Sequence, residues 1–259
     1  MTQTISLIEP SPGVHLVTLS RPAQANALST EMGRELLRLW LALSADPNVR
    51  AVVLTGEGRF FCAGADLKER DGMTDEAWAL QHKLFEDMIR AQLACPFPII
   101  AAVNGAAMGG GAEMALACDF ALVSETAKIG LPEAGLGIIP GLGGTQLLTR
   151  AVGERRASEM LMSGLPVDAA EALSIGLVNK VCAPESLVAE TLARAALIAS
   201  KAPLSVRAIK AIVRTGAVLP LDSAMDLELR EYNRLFITHD RREGVAAFNQ
   251  KRPARFQGH

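Results

Sequence analysis

"FPIIAAVNGAAMGGGAEMALACDFALVS", residues 97–124, sets the fold class. Its first part, 97–105, is an apolar run ended by Asn104-Gly105, the pattern of a buried strand closed by a turn. Its last part, "DFALVS" (119–124), reads as a second strand. Between them Gly109-Gly110-Gly111 opens a short Ala, Met and Leu stretch that reads as a helix. Strand, helix and strand in so short a span indicate an α/β sheet rather than an all-β sandwich. The alternation continues outward. "VHLVTLS" (14–20) and "RAVVLTG" (50–56) are β-branched runs ended by breakers. Between them Met32, Leu36, Leu39 and Leu43 recur at helical spacing, and "GLVNKV" (176–181) is a later strand candidate. After Pro184 the texture changes to segments with one apolar face, broken at Pro203 and Pro220. The expected organisation is an α/β core over 1–185 and a helical section over 186–259.

Composition excludes several functions. The chain has 259 residues, 49% of them hydrophobic, enough for a large core. With 26 basic and 28 acidic residues its net charge is −2, which gives no overall footprint for nucleic acid. Cys62, Cys95, Cys118 and Cys182 fit neither a zinc site nor a disulfide framework, and read as buried free thiols in a reducing compartment. The histidines, His15, His82, His239 and His259, are far apart, so no metal is expected. "MTQTISLIEP" lacks the basic start and apolar centre of a secretory leader, so a cytoplasmic protein is expected. The uncharged run from Ala91 to Ala112 contains Pro96, Pro98, Asn104, Gly105 and the triple glycine. It reads as strand, turn and helix start, not as a membrane span.

Three glycines at a helix start are costly for the helix, so they need a reason. Without Cβ atoms they let a ligand or another backbone come close. The first N–H groups of the helix lack intrahelical partners and carry partial positive charge. They suit an oxygen that becomes anionic during reaction. A second small-residue loop, Gly64-Ala65 in "FFCAGADLKER" (60–70), follows the strand at 51–54. Each loop could aim one N–H at a common carbonyl oxygen. Two carboxylates lie in apolar sequence: Glu113, three residues after Gly110, and Glu133 in "GLPEAGLGIIPGLGG". Burial and mutual repulsion would raise their pKa values and suit them to proton transfer. Taken singly, each feature has a plainer reading: close helix packing for the glycines, a helix-start charge for Glu113, a surface turn for Glu133. No Ser–His or Cys–His nucleophile set, phosphate loop or convincing dinucleotide fingerprint accompanies them.

These motifs, with "RPAQANALS", "GLPEAGLGIIPGLGGTQLLTRAVG" and "DRREGVAAFNQKRPARF", resemble the enoyl-CoA hydratase (crotonase) family over nearly the whole chain. "GADLKER", "ALACD" and the "KRPAR" end are closest in texture to its 3-methylglutaconyl-CoA hydratase branch. The resemblance implies a spiral of ββα repeats with a C-terminal helical trimerisation region, assembled as a trimer or dimer of trimers. It implies hydration of a 2-enoyl-CoA, with 3-methylglutaconyl-CoA hydration or Δ3-Δ2 isomerisation as alternatives. Ala65 and Gly110 would form the oxyanion hole. Glu113 would activate water for attack at Cβ, and Glu133 would supply the proton at Cα. Asn26, Ala27, Ala63, Asp66, Leu67 and Lys68 match positions along the CoA channel; Phe248 and Lys251 match positions at its adenine end, often from a neighbouring subunit. No cofactor is implied, since coenzyme A is part of the substrate. One departure is Leu147 in "GGTQLLTR", where the family often has Arg.

Some members of the methylglutaconyl branch bind RNA through a Lys-rich helix. Here the matching stretch, "DGMTDEAWALQHKLFEDMIR", has only Lys83 and Arg90, so no nucleic-acid binding is expected. The same stretch should line the acyl pocket. Its polar candidates are Gln81, His82, Lys83 and Arg90; its apolar members, Trp78, Leu80, Leu84, Phe85 and Met88, favour a plain unbranched acyl chain.

Overall fold

The computed structural model describes residues 3–259. The chain opens with a hairpin, β1 (Ile5–Ser11) and β2 (Val14–Leu19), and then α1 (Thr30–Ala45). β3 (Ala51–Gly56), β4 (Phe60–Cys62), the single turn α2 (Leu67–Arg70) and the long α3 (Asp75–Ala94) follow. β5 (Ile99–Val103), β6 (Ala106–Met108) and α4 (Gly110–Leu116) come next. Then come β7 (Phe120–Ser124), β8 (Lys128–Gly130), a 3-10 turn at Glu133–Leu136, α5 (Gly144–Val152) and α6 (Glu154–Ser163). The order ββα thus occurs four times, the opening hairpin with α1 followed by three repeats whose strands divide between two sheets. In each of these three the first strand joins a six-stranded sheet of order β1-β2-β3-β5-β7-β10, and the second joins a four-stranded sheet of order β4-β6-β8-β9. Here β9 is Val167–Asp168 and β10 is Lys180–Cys182, with α7 (Ala169–Ser174) between them. Successive repeats lie parallel in both sheets, β3 on β5 on β7 and β4 on β6 on β8. The result is the expected spiral.

β3 and β5 are buried at every position, as parallel strands covered on both faces should be. Val52, Leu54, Ile99, Ala101 and Val103 face the main core, which α1 enters with Met32, Leu36, Trp40 and Leu43. Ser29 caps that helix by accepting the Met32 N–H at 3.2 Å. The sequence stripe expected Leu39; Leu39 is half-buried and Trp40 is fully buried in its stead. Val53, Ala51, Ile100, Ala102 and Leu122 face the opposite way and pack on Leu187 and Ala195 of α8 (Leu187–Ala199). This corrects the division at 185/186: α8 is a layer of the core. α9 (Pro203–Gly216), α10 (Leu221–Phe236) and α11 (His239–Asn249) follow, with α9 held to the core through Lys210 and Arg214, which pair with Asp119.

The strand expected over 176–181 is also shifted and shorter: Leu177 and Val178 follow a turn, and only 180–182 pair with β7. All four cysteines are buried and free. Among the described residues no helix is long and apolar enough to cross a membrane.

Candidate active site

The three glycines do different work. Gly109 has φ +51°, the left-handed region, and a Cβ there would lie 3.0 Å from Glu133 Oε1. Gly111 sits against β4: a Cβ there would lie 2.2 Å from the Cys62 carbonyl oxygen. Gly110, between them, lines the cavity described below, and its N–H meets no protein acceptor among the described residues.

β4 leads directly to the second loop. Leu28 bridges Ala65 in parallel fashion: its N–H donates to the Gly64 carbonyl at 2.8 Å, and its carbonyl accepts from the Asp66 N–H at 3.0 Å. Such a bridge uses the groups flanking Ala65 and leaves the Ala65 N–H on the other side of the strand. That N–H also lacks a protein acceptor among the described residues. The two N–H groups are neighbours: a Cβ built on Gly64 would lie 3.6 Å from Gly110 N, and one on Gly110 would lie 3.9 Å from Ala65 N. The sequence expectation for Ala65 and Gly110 therefore corresponds to two adjacent, uncommitted donors on one cavity wall.

Both glutamates join them. Glu113 is 2% exposed, in the first turn of α4. Its Oε1 accepts the N–H groups of Leu142 (2.7 Å) and Gly144 (2.8 Å). Burial pushes its pKa up to about 7; those two N–H groups pull the other way, and the neighbouring Glu133 charge adds to the rise. Glu133 opens the 3-10 turn and is 8% exposed. Burial also raises its pKa, opposed by its own backbone N–H, and its buried Oε2 has no hydrogen-bond partner among the described residues. An orphaned buried carboxylate oxygen is costly unless a proton or a ligand completes it. Neither glutamate is the plain helix-start or surface-turn residue that each resembled alone.

A cavity of about 960 Å³ unites these groups. Its walls include Leu28, Ala63, Gly64, Ala65 and Leu67, then Gly109, Gly110, Glu113, Glu133 and the 136–142 loop, and Arg70, Trp78, His82 and Phe85. Cys62 is close by, but burial drives its thiol up to about 12, so it is no nucleophile.

Of the expected CoA-channel residues, Ala63 and Leu67 line the cavity. Asp66 caps α2 by accepting the Lys68 and Glu69 N–H groups, and pairs with Arg21 at 2.9 Å. Arg21 also donates to the Ala27 carbonyl at 2.5 Å. Lys68 is exposed beside them. Asn26 must be corrected. It has no exposed surface; its Oδ1 accepts the Arg21 N–H (2.9 Å) and its Nδ2 donates to the Glu57 and Phe60 carbonyls (2.9 and 2.7 Å). It ties the 21–27 loop to β4 and touches no ligand surface. Phe248, 83% exposed on α11, and Lys251 lie outside this chain's own cavity.

Sequence reasoning missed the Leu142 and Gly144 donors, for which the glycine-rich "PGLGG" was the available signal. It also missed Arg70 as a wall residue. Of the polar candidates over 81–90 only His82 lines the cavity. Gln81 is buried, while Lys83 and Arg90 pair with Asp87 and Glu86 at the surface.

Comparison with known proteins bears on the family and the fold. The enoyl-CoA hydratase/isomerase family model matches residues 9–259. A crystal structure of enoyl-CoA hydratase from Bacillus anthracis superposes with a TM-score of 0.97 at 40% identity, over 99% of this chain and 100% of that one. A crotonyl-CoA hydratase of Syntrophomonas wolfei is 40% identical over 96% of each chain. A 2,3-dehydroadipyl-CoA hydratase of Escherichia coli is 40% identical over 95% of each.

Proposed function

The chain belongs to the enoyl-CoA hydratase/isomerase family, and on that premise we propose that it adds water across the 2,3 double bond of a 2-enoyl-CoA thioester to give the 3-hydroxyacyl-CoA. One observation carries the reading: two uncommitted N–H donors, Ala65 and Gly110, share a cavity with two buried carboxyl groups of raised pKa. The thioester oxygen accepts from both donors. Glu113, ionised and held through Oε1, takes a proton from water as the water oxygen bonds to Cβ. The π electrons move to the thioester oxygen, and the enolate so formed is stabilised by the two donors. Glu133, protonated, gives its proton to Cα as the enolate collapses. One O–H bond of water is broken, C–O and C–H bonds form, and the proton gained by Glu113 returns to Glu133 through solvent. Two interacting carboxyl groups that share one proton suit this exchange.

Ala27, Ala63, Asp66, Leu67 and Lys68 are assigned to the CoA approach. Phe248 and Lys251 are assigned to its adenine end on a neighbouring copy. Support for assembly comes from the outer apolar row of α9 and α10: Ile209, Val213, Leu221, Met225, Leu229 and Phe236 are each at least 55% exposed. A homotrimer, or a dimer of trimers, would bury it.

Steady-state hydration of crotonyl-CoA tests the reading, with conversion of a 3-enoyl-CoA measured alongside. Hydration is expected to dominate. Isomerisation without hydration would transfer the protein to the family's isomerases, and turnover of no 2-enoyl-CoA, crotonyl or longer, and of no 3-enoyl-CoA would overturn the proposal. The crotonyl-CoA and 2,3-dehydroadipyl-CoA hydratases differ in their acyl tails, so the tail depends on each chain's own pocket.

A further inference from the structure

The cavity wall contains one arginine or lysine among the described residues, Arg70 at the end of α2. Its Nε donates to Gln81 Oε1 at 2.8 Å. Gln81 is 4% exposed and fixed in turn, donating to Thr30 Oγ1 at 2.8 Å and Glu69 Oε2 at 3.3 Å. The guanidinium lies over the Trp78 ring, 4.2 Å from its centroid, and 5.7 Å from that of Phe85. Its terminal nitrogens make no hydrogen bond and no ion pair among the described residues. The adjacent acid, Glu69, is committed to the Thr30 N–H (2.8 Å) and Gln81. Arg70 is thus a braced, half-buried fork with its two terminal nitrogens unmatched among the described residues.

Its position relative to the chemistry follows from the 136–142 loop. Leu142 holds Glu113, the group that activates water at Cβ, and Gly141 packs so closely on His82 that a Cβ there would lie 2.4 Å from the ring. An acyl chain that continued past Cβ toward α3 would meet the wall formed by His82, Trp78, Phe85 and Arg70. The apolar residues expected to line this end do not all do so: Leu80 is 74% exposed, and Leu84 and Met88 belong to the core. A plain alkyl tail would press on the guanidinium and strip its water without replacing it. A carboxylate would complete it with two parallel charge-assisted hydrogen bonds.

We propose that Arg70, oriented by Gln81, selects a 2-enoyl-CoA whose acyl chain ends in a carboxylate. This replaces the plain-chain expectation drawn from the apolar residues of α3, and it rests on the hydratase reading of the site.

The test uses substrate pairs of equal length that differ only in a terminal methyl or carboxylate: 2-pentenoyl-CoA against glutaconyl-CoA, and 2-hexenoyl-CoA against 2,3-dehydroadipyl-CoA. The wild-type kcat/KM ratio, carboxylate over methyl, should exceed about 10 in at least one pair, and Arg70→Met should lower that ratio about 10²-fold, with Arg70→Lys in between. A wild-type ratio of one or less in both pairs would overturn the proposal, as would a ratio unmoved by Arg70→Met. If the variant does not fold, competitive inhibition of the wild type decides: glutaryl-CoA should bind at least about tenfold tighter than valeryl-CoA, and equal inhibition would refute the role. Wild-type hydration of the methyl-ended substrates alone leaves the hydratase reading standing and removes only Arg70; no hydration of any of the four removes both.

Discussion

Glu113→Gln should make the protein more stable and much less active. Gln keeps an oxygen that can accept the Leu142 and Gly144 N–H groups, now at 2.7 and 2.8 Å. It removes a charge that burial opposes. The native carboxyl lies at about 7 against 4.5 for an ordinary glutamate, so the folded state holds this proton more tightly than the unfolded chain does. Its stabilising contribution is therefore complete below 4.5 and is lost as pH rises through 7. At about 1.4 kcal/mol per pH unit, the ionised residue costs the native state about 3 kcal/mol at pH 8. Part of that is regained by cavity water, so the variant should gain about 1–3 kcal/mol at pH 8 and almost nothing at pH 4.5. Denaturant unfolding at both pH values, at one fixed protein concentration, measures the gap. Crotonyl-CoA hydration should fall at least ~10²-fold in the same variant. A pH-independent gap, or a variant less stable at pH 8, would refute the claim that Glu113 is a desolvated carboxyl. Unchanged turnover would refute its role.

Glu133→Gln should lower kcat by about 10² or more while leaving KM little changed, because the lost proton acts in the transition state; steady-state kinetics showing near-wild-type kcat would remove Glu133 from the mechanism. Gly111→Ala places a methyl 2.2 Å from the Cys62 carbonyl and should cost about 1–3 kcal/mol or more. Gly216→Ala, whose methyl meets only Ala224 Cβ at 3.6 Å, should stay within about 0.5 kcal/mol; equal melting temperatures for the two variants would contradict the packing described. Light scattering should give a trimer or a multiple of it, and Leu229→Arg should shift the mass downward; a wild-type monomer at micromolar concentration would exclude the assembly.

The candidate site was legible as a group of residues because residue types that are out of place otherwise mark it. Glycines that weaken a helix start, and carboxylates in apolar sequence, need a reason, and burial beside uncommitted N–H groups supplies one. The inner strands β3, β5 and β7 of the six-stranded sheet were legible for the same kind of reason: strands buried on both faces read as unbroken apolar runs. The four-stranded sheet was not, since its strands have two or three residues, too few to show a period. β1 was hidden because most of its residues are exposed on an edge strand. Asn26 was set in the CoA channel by resemblance alone, and its side chain instead knots the 21–27 loop to the Glu57 and Phe60 carbonyls. Arg70 was hidden for another reason. "LKER" reads as a solvated turn, and only the packing of α2 over Trp78 shows that one of its charges faces the cavity.

The central claim is that two N–H donors and two glutamates act on one thioester from fixed positions. Hydration of crotonyl-CoA in deuterium oxide, followed by NMR of the 3-hydroxybutyryl-CoA formed, tests it most directly. The account predicts one deuterium at C2, added to the same face as the C3 hydroxyl. Addition from opposite faces, or a C2 label scrambled between both positions at first turnover, would contradict it.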